Sequence, residues 1–276
     1  MAQRAEVHVN VADYVVARDG AEAILVSLVK YLAVQRRQIP YSYTILCNLS
    51  DRVRQQETEA PSWKEFQLDK QRKLVNSTVL GYKQLFQAIH VAFANKVQEA
   101  VLLFGATAFT PKEAWWIEFP ESVQKHDPGV VHHGKVQEMA DHTVMTISGR
   151  PELSENMSRD FHTTNMYLML KFAGEAPKES RFREAFTERD VLHLPTSCHV
   201  SKITLQNEPT NETLANCCAE MSVFGFSGFT GKARSYADLF RRNATQKTEE
   251  SRWYECAESV KGYNHVLVKG KDIWNL

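Results

Sequence analysis

Cys198 and His199 are neighbouring residues whose types could support nucleophilic chemistry, since a thiolate activated by an imidazole attacks electrophilic carbon. The stretch that they open alternates between apolar and polar residues, which predicts a strand with Ile203 and Leu205 on one face and Val200 on the other. Consecutive strand residues point to opposite faces of a sheet. The strand pattern therefore argues against a working thiol and imidazole pair.

Other residues that often carry chemistry lack the spacing that they need. His132 and His133 are adjacent, and adjacent helical residues point about 100° apart, so the two rings do not readily share one metal ion. Gly225 and Gly228 flank apolar residues, and the sequence has no Gly-x-Ser-x-Gly or His-Glu-x-x-His motif. We therefore predict a non-catalytic interaction protein with no metal or cofactor. A thiol-dependent enzyme that uses Cys198 is the less favoured alternative.

The composition indicates a folded protein without a strong overall charge. The 276 residues include 33 Lys and Arg against 33 Asp and Glu, and 43% are hydrophobic. With these charges in balance, the protein as a whole has no electrostatic attraction to nucleic acid or to an anionic membrane. No apolar run approaches the roughly 20 residues of a spanning helix, and the five cysteines lack zinc-ligand spacing. We expect an intracellular protein that binds neither nucleic acid nor membrane.

The clearest structural pattern runs through residues 75–119. Apolar residues recur at helical spacing over residues 75–93, which predicts a long amphipathic helix. The apolar run at residues 100–104 ends at Gly105 and predicts a strand buried on both faces. After a turn at Pro111, residues 115–119 alternate as a returning strand with one face open to solvent. Together these elements predict a helix packed on a sheet.

The rest of the chain adds further elements without an evident domain boundary. A first helix is predicted to begin near Arg18 and to end before Pro40, and a weaker helix is predicted within residues 132–147. Further strands are predicted at residues 7–11, 165–172 and 253–256 and near residues 265–269. Residues 50–73 are polar and predict an exposed loop. We expect residues 1–276 to form a single domain.

Gln35 is a polar residue at a position where the first helix should be apolar. It follows Leu32 by three residues and Leu28 by seven, so it shares their face of the helix. An amide at this position marks either a frayed helix end or a contact with a partner. Both interpretations stay open on the sequence.

Three passages of the chain resemble the HORMA-domain family. Residues 31–40, Tyr-Leu-Ala-Val-Gln-Arg-Arg-Gln-Ile-Pro, resemble the end of the family's first helix. Residues 102–119, with Pro111-Lys112-Glu113 in the turn, resemble its central hairpin. The terminal Trp253-Tyr254 and Lys261-Gly262-Tyr263 are most similar to the comet group of this family. The resemblance covers residues 7–119, 192–205 and 253–263.

The resemblance implies an α+β fold with three helices packed on a mainly antiparallel sheet. It also implies a C-terminal safety-belt region that wraps a strand and buries Trp253, Val260 and Tyr263. Residues 207–252 are longer than the family pattern and predict an insertion in this belt.

The function implied by the resemblance is that of a non-catalytic adaptor. Such adaptors bind closed Mad-two and present it to a hexameric AAA+ ATPase of the pachytene checkpoint class, which converts it to the open form. The mitotic checkpoint complex is thereby disassembled and the spindle assembly checkpoint is silenced. The adaptor supplies a difference in affinity between two conformers, and the motor supplies work. The implied location is the nucleus and cytoplasm, with association to the spindle and kinetochore in mitosis.

The same resemblance assigns roles to particular residues. Gln35 aligns with a family glutamine that contacts Mad-two, and Met139 stands in for a partner-facing Phe that the third helix lacks. Glu188, Arg189 and His193 take the positions of a Pro-Lys pair and an Arg that engage the ATPase. Arg189 alone retains a permanent positive charge. The alternative within the family is a protein that captures closure-motif peptides in its own safety belt.

Overall fold

Helices and strands of the chain build a mixed α and β fold around one sheet. The computed structural model describes residues 3–11, 16–55, 66–120, 135–172, 174, 176–208 and 252–264. The helices within these residues are α1 (Arg18–Gln35), α2 (Tyr43–Gln55), α3 (Phe66–Phe93), α4 (Val136–Ser148), α5 (Pro151–Ser158) and α6 (Ser180–Ala185). The strands are β1 (Arg4–Asn10), β2 (Val97–Gly105), β3 (Pro111–Glu118), β4 (Asn165–Phe172), β5 (Phe186–Arg189), β6 (His199–Gln206), β7 (Trp253–Cys256) and β8 (Val260–Lys261).

The sheet runs in the order β1-β6-β3-β2-β4-β7-β5, with β8 paired to β4. Within the described residues, five of its seven strand pairings are antiparallel, and the β1–β6 and β3–β6 pairings are parallel. The fold is therefore compatible with the predicted α+β class and a mainly antiparallel sheet. It contains six helices in these ranges, where the resemblance implied three.

The helix, strand and hairpin predicted from residues 75–119 are confirmed as α3, β2 and β3. β2 is central, and every residue except Gln98 is buried because both faces of the sheet are covered along it. It pairs with β3 so that Leu102 lies opposite Trp115. The predicted strands at residues 7–11, 165–172 and 253–256 correspond to β1, β4 and β7.

One face of the sheet packs against the helices. Its core contains Leu28 and Leu32 of α1, Tyr82 and Ile89 of α3, and inward residues of the central strands. α1 begins at Arg18 and ends at Gln35, as the sequence predicts, and α4 packs alongside it. The helical face of the sheet thus holds most of the buried apolar surface.

The second face of the sheet is covered in part by chain that carries no helix. β5 lies at one edge and β6 near the other, so residues 190–198 must cross the sheet between them. Leu192 and Leu194 of this crossing segment pack against a cluster that includes Trp253. Trp116 also lies here and is half-buried against the Trp253 ring at 5.4 Å. The outer face of β3 is therefore less open to solvent than the alternation predicts.

The prediction of an exposed loop over residues 50–73 is wrong at both ends of this range. Residues 50–55 belong to α2 and residues 66–73 to α3, while the residues between lie outside those described. α2 packs on α3, with Leu46 fully buried and the Ser50 hydroxyl donating to Oδ1 of Asn76 at 2.6 Å. Because these stabilising contacts come from distant residues, the polar local sequence did not indicate a helix.

Several expectations fall outside the described residues. They concern the strand near residues 265–269, the histidines at 132 and 133, and all but the ends of the insertion predicted at residues 207–252. Among the residues that are described, no helix is long and apolar enough to cross a membrane.

Candidate functional site

A buried ion pair joins two of the passages that carry the family resemblance. Nη2 of Arg36, just after α1, lies 2.7 Å from Oε2 of Glu113 in β3, and both side chains are 1% exposed. Nη1 of Arg36 donates to the main-chain oxygens of Met157 at 2.9 Å and Arg159 at 3.1 Å. The pair therefore fixes the end of α1 against both the hairpin and the end of α5.

Burial raises the pKa of the Glu113 carboxyl above its usual value, although Arg36 and a hydrogen bond from Trp115 oppose the shift. Nε1 of Trp115 donates to Oε1 of Glu113 at 2.5 Å. No periodicity or motif in the sequence pairs Glu113 with Arg36. The available signal was a charged residue at position 113, which shares the inward face of β3 with Trp115.

Gln38 links this ion pair to the C-terminal segment, which we define as residues 260–264. Nε2 of the buried Gln38 side chain donates to the main-chain oxygen of Arg36 at 2.6 Å, and its Oε1 accepts from N of Thr164 at 2.8 Å. Its main-chain oxygen accepts from N of Tyr263 at 2.7 Å. The turn after α1 thus holds both the start of β4 and the C-terminal segment.

Strand pairing and α3 hold the rest of the C-terminal segment. Val260 lies opposite Met166 of β4, and its side chain packs against Gly81 of α3. The Thr78 hydroxyl donates to the main-chain oxygen of Lys261 at 3.0 Å. Gly262 lies so close to Gln38 that an added Cβ would be 2.8 Å from its Oε1. The C-terminal segment therefore contacts β4, α3 and the turn after α1.

The three residues assigned to the belt are all buried. Trp253 opens β7, which lies between β4 and β5, and Val260 and Tyr263 belong to the C-terminal segment. Their role in a safety belt stays a prediction, because most of residues 207–252 lie outside the described part of the chain.

Gln35 is exposed at the last position of α1. The chain turns immediately afterwards, because Arg37 takes a left-handed conformation with φ of 53°. Gln35 also lines a surface cavity of about 570 Å³, together with residues near the end of α5. Its side chain is therefore available to a partner, although it continues the apolar face of the helix in the sequence pattern.

Met139 is buried, contrary to its assignment as a partner contact. It packs against Gly20 of α1, where an added Cβ would lie only 2.5 Å from Cε of Met139. The exposed methionine of α4 is Met145, with 72% of its surface accessible. Positions 139, 143 and 147 face α1 and the core, so position 145 falls on the outer side of the helix.

The residues assigned to the ATPase contact are near one edge of the sheet but do not form one cluster. Glu188 and Arg189 are consecutive in β5, so their side chains leave opposite faces. Glu188 is exposed and pairs with Arg252. His193 is exposed in the crossing segment.

Arg189 already has two partners within the chain. Its Nε lies 2.7 Å from Oε2 of Glu255, with the two side chains 39% and 15% exposed. Its guanidinium carbon also lies 5.3 Å from the centre of the Phe109 ring. An acidic partner would therefore have to compete with Glu255 for this guanidinium.

Cys198 and His199 do not form a catalytic pair. Burial raises the pKa of the Cys198 thiol to about 11, so the thiol is protonated at neutral pH. Cys198 packs on the second face of the sheet, whereas Nδ1 of His199 accepts from the main-chain N of Gln3 at 2.9 Å and Nε2 contacts Arg159. In the described part of the chain, no three His, Cys, Asp or Glu residues are arranged to hold a metal ion.

Comparison with protein-family models and comparison with curated proteins both give no match for this chain.

Proposed function

We propose that the chain is a HORMA-domain adaptor of the comet type, which binds closed Mad-two and presents it to a hexameric AAA+ ATPase of the pachytene checkpoint class. The observation that carries the proposal is the contact between the resembling passages. Arg36 from residues 31–40 is paired with Glu113 from the hairpin, and Gln38 from the same passage is bonded to the terminal Tyr263. The three resembling passages, which are far apart in the sequence, are therefore in direct contact in the fold.

The position of the C-terminal segment supports an adaptor over a protein that captures peptides. Val260 and Lys261 already occupy a strand position beside β4 and are packed on α3. A captured peptide would have to displace this segment and its buried Val260 and Tyr263 side chains. The proposed adaptor therefore needs no added peptide to adopt its folded state.

The surface proposed for Mad-two includes Gln35 and Met145. α1 packs alongside α4. Gln35 is exposed at the last position of α1, and Met145 is exposed in the last turn of α4. An exposed methionine is an adaptable apolar contact for a partner, and Met145 takes the role first assigned to Met139.

The first test is titration of the purified chain with closed-locked and open-locked Mad-two. We expect binding to the closed form and at least about tenfold weaker binding to the open form, as required of an adaptor selective for one conformer. Absence of binding to closed Mad-two would overturn the proposal. A rise in melting temperature on addition of a closure-motif peptide would instead favour a peptide-capturing HORMA protein.

Two single substitutions in α4 distinguish a residue that contacts the partner from a residue that only stabilises the core. Met145→Ala should weaken binding of closed Mad-two without a change in melting temperature, because its side chain is exposed. Met139→Ala is the matched control on the same helix. It should lower stability by about 2–5 kcal/mol, because it removes a buried side chain.

The ATPase contact is tested through Arg189. We expect Arg189→Glu to abolish stimulation of Mad-two conversion by the ATPase while leaving the binary complex with Mad-two intact, because the charge is reversed at a half-exposed site. Glu255→Gln is the matched control, since it frees the guanidinium and should not reduce stimulation. Full stimulation by Arg189→Glu would show that the ATPase contact lies elsewhere.

A further inference from the structure

One edge of the sheet is formed by β1, whose strand partner among the described residues is β6. N of Val200 donates to the main-chain oxygen of Gln3 at 3.0 Å. At the other end of the pair, N of Val11 donates to the main-chain oxygen of Gln206 at 2.8 Å. In a parallel pair, the N–H and C=O of one residue point to the same side, and the side alternates along the strand. The odd-numbered residues of β1 therefore bond to β6, and the even-numbered residues point their main-chain groups away from the sheet.

The open side of β1 is presented by Arg4, Glu6, His8 and Asn10, which are all exposed. In the part of the chain that is described, the one hydrogen bond to their outward main-chain groups comes from Nη2 of Arg150, which donates to the oxygen of His8 at 3.1 Å. A carbonyl oxygen has two lone pairs, so this oxygen can accept a second bond. β1 also lacks the proline, lysine or bulge that often protects an edge strand. The edge can therefore pair with another strand.

The sequence of β1 is complementary to a second, antiparallel copy of itself. The outward groups of two such strands meet only where an even-numbered residue lies opposite an even-numbered residue. A twofold axis at Val7 meets this condition. It sets Glu6 opposite His8 of the second copy, and Arg4 opposite Asn10. This register therefore gives both main-chain pairing and polar side-chain pairing.

Other twofold registers are less favourable. An axis at Glu6 would set two carboxylates opposite each other, and like charges that are directly opposite destabilise a sheet. An axis at His8 would set two imidazole rings opposite each other and would lose the contact with Glu6. Axes nearer either end of β1 would leave most of the strand unpaired. The side chains therefore select the axis at Val7.

The side chains of Glu6 and His8 are free to make the contact. Both are exposed, and their spacing of two residues places them on the same face of the sheet. Oε1 of Glu6 lies 3.3 Å from Nζ of Lys202, and the two side chains are 55% and 34% exposed. Such a pair is weak, so the carboxylate can also accept from an imidazole across the new strand pair.

We propose that β1 is a dimer interface, in which β1 of a second copy of this chain pairs antiparallel about Val7 and the two sheets become one. About eight main-chain hydrogen bonds would join the strands. Each Glu6 carboxylate accepts from the imidazole of the opposite His8. Because one pair of strands buries less area than a standard interface, we expect a weak dimer with a dissociation constant on the order of 10–500 µM. The proposal does not depend on the proposed function.

Sedimentation equilibrium of the full chain and its variants tests the proposal. His8→Lys should tighten the dimer about two- to tenfold, and His8→Glu should weaken it about tenfold or more, because each change acts at two pairs per dimer. Gln87→Glu on the exposed side of α3 is the matched control, since it adds the same charge as His8→Glu away from β1. It should leave the dissociation constant unchanged. A chain that stays monomeric up to about 1 mM, or a dimer that is equally stable in both His8 variants, overturns the proposal.

Amide hydrogen exchange locates the interface. The main-chain N–H groups of Glu6 and His8 should exchange more slowly as protein concentration rises, whereas those of Val7 and Val9 bond to β6 and should be protected at every concentration. A dimer without this change at Glu6 and His8 uses another surface and overturns the proposal. Protection of these two groups by closed Mad-two, but not by higher concentration of the chain alone, would show that the edge takes a strand of another protein and would also overturn it.

Discussion

Replacement of Glu113 by Ala should destabilise the protein far more than loss of an ordinary surface charge. Glu113 neutralises Arg36, and both side chains are 1% exposed. After the replacement, Arg36 keeps its bonds to the main-chain oxygens of Met157 and Arg159 but has no counter-charge. Leaving one partner of a buried pair uncompensated typically costs about 3–5 kcal/mol.

A second loss adds to this cost. Nε1 of Trp115, which is fully buried, loses the Glu113 oxygen that accepts its proton. A buried donor without an acceptor costs about 1–3 kcal/mol. Because the structure around Arg36 and Trp115 can relax in part, the two costs do not add fully. We expect Glu113→Ala to lower the free energy of unfolding by about 4–6 kcal/mol. That is a large fraction of the roughly 5–15 kcal/mol that stabilises most domains.

Urea unfolding followed by tryptophan fluorescence measures this difference. Asp160→Ala is the control, because Asp160 belongs to the exposed pair with Arg37 and its loss should cost less than about 1 kcal/mol. The double replacement Arg36→Met and Glu113→Leu should recover the part of the loss that is due to the uncompensated charge, whereas Nε1 of Trp115 still lacks its acceptor. A loss below about 1.5 kcal/mol for Glu113→Ala would refute the reasoning, because it lies well under the cost of an uncompensated buried charge.

Three further predictions concern pH and the C-terminal segment. Because the pKa of Glu113 is raised on folding, its contribution to the free energy of unfolding should fall as pH rises from its ordinary pKa through the raised one. The stability difference between wild type and Glu113→Gln, measured across this window, should fall accordingly, and a constant difference contradicts the assignment. Gly262→Ala should cost about 1–3 kcal/mol through overlap with Thr163 and Gln38, whereas Gly149→Ala, which meets no atom closer than 3.6 Å, should be nearly neutral by thermal melting. Deletion from Trp253 onward should destabilise the whole domain, because β4 and β5 both lose a paired strand; a truncated chain with the wild-type melting curve would contradict this.

Local patterns in the sequence determined the central elements. The helical spacing of apolar residues predicts α3, and the apolar run at residues 100–104 predicts the buried strand β2. Each pattern lies within one short stretch of the chain. The strand at residues 165–172 and the opposite facing of Cys198 and His199 follow from alternation in the same way. These features need no knowledge of distant residues, so the sequence alone predicts them.

Tertiary contacts decided the features that depend on residues far apart in the chain. α2 forms in a polar stretch because it packs on α3, and Met139 is buried because Gly20 has no side chain to exclude it. The pairing of Arg36 with Glu113 spans 77 residues, and the bond from Tyr263 to Gln38 joins even more distant segments. Neither periodicity nor composition reports which distant groups will meet, because that choice is made by the packing of the whole domain.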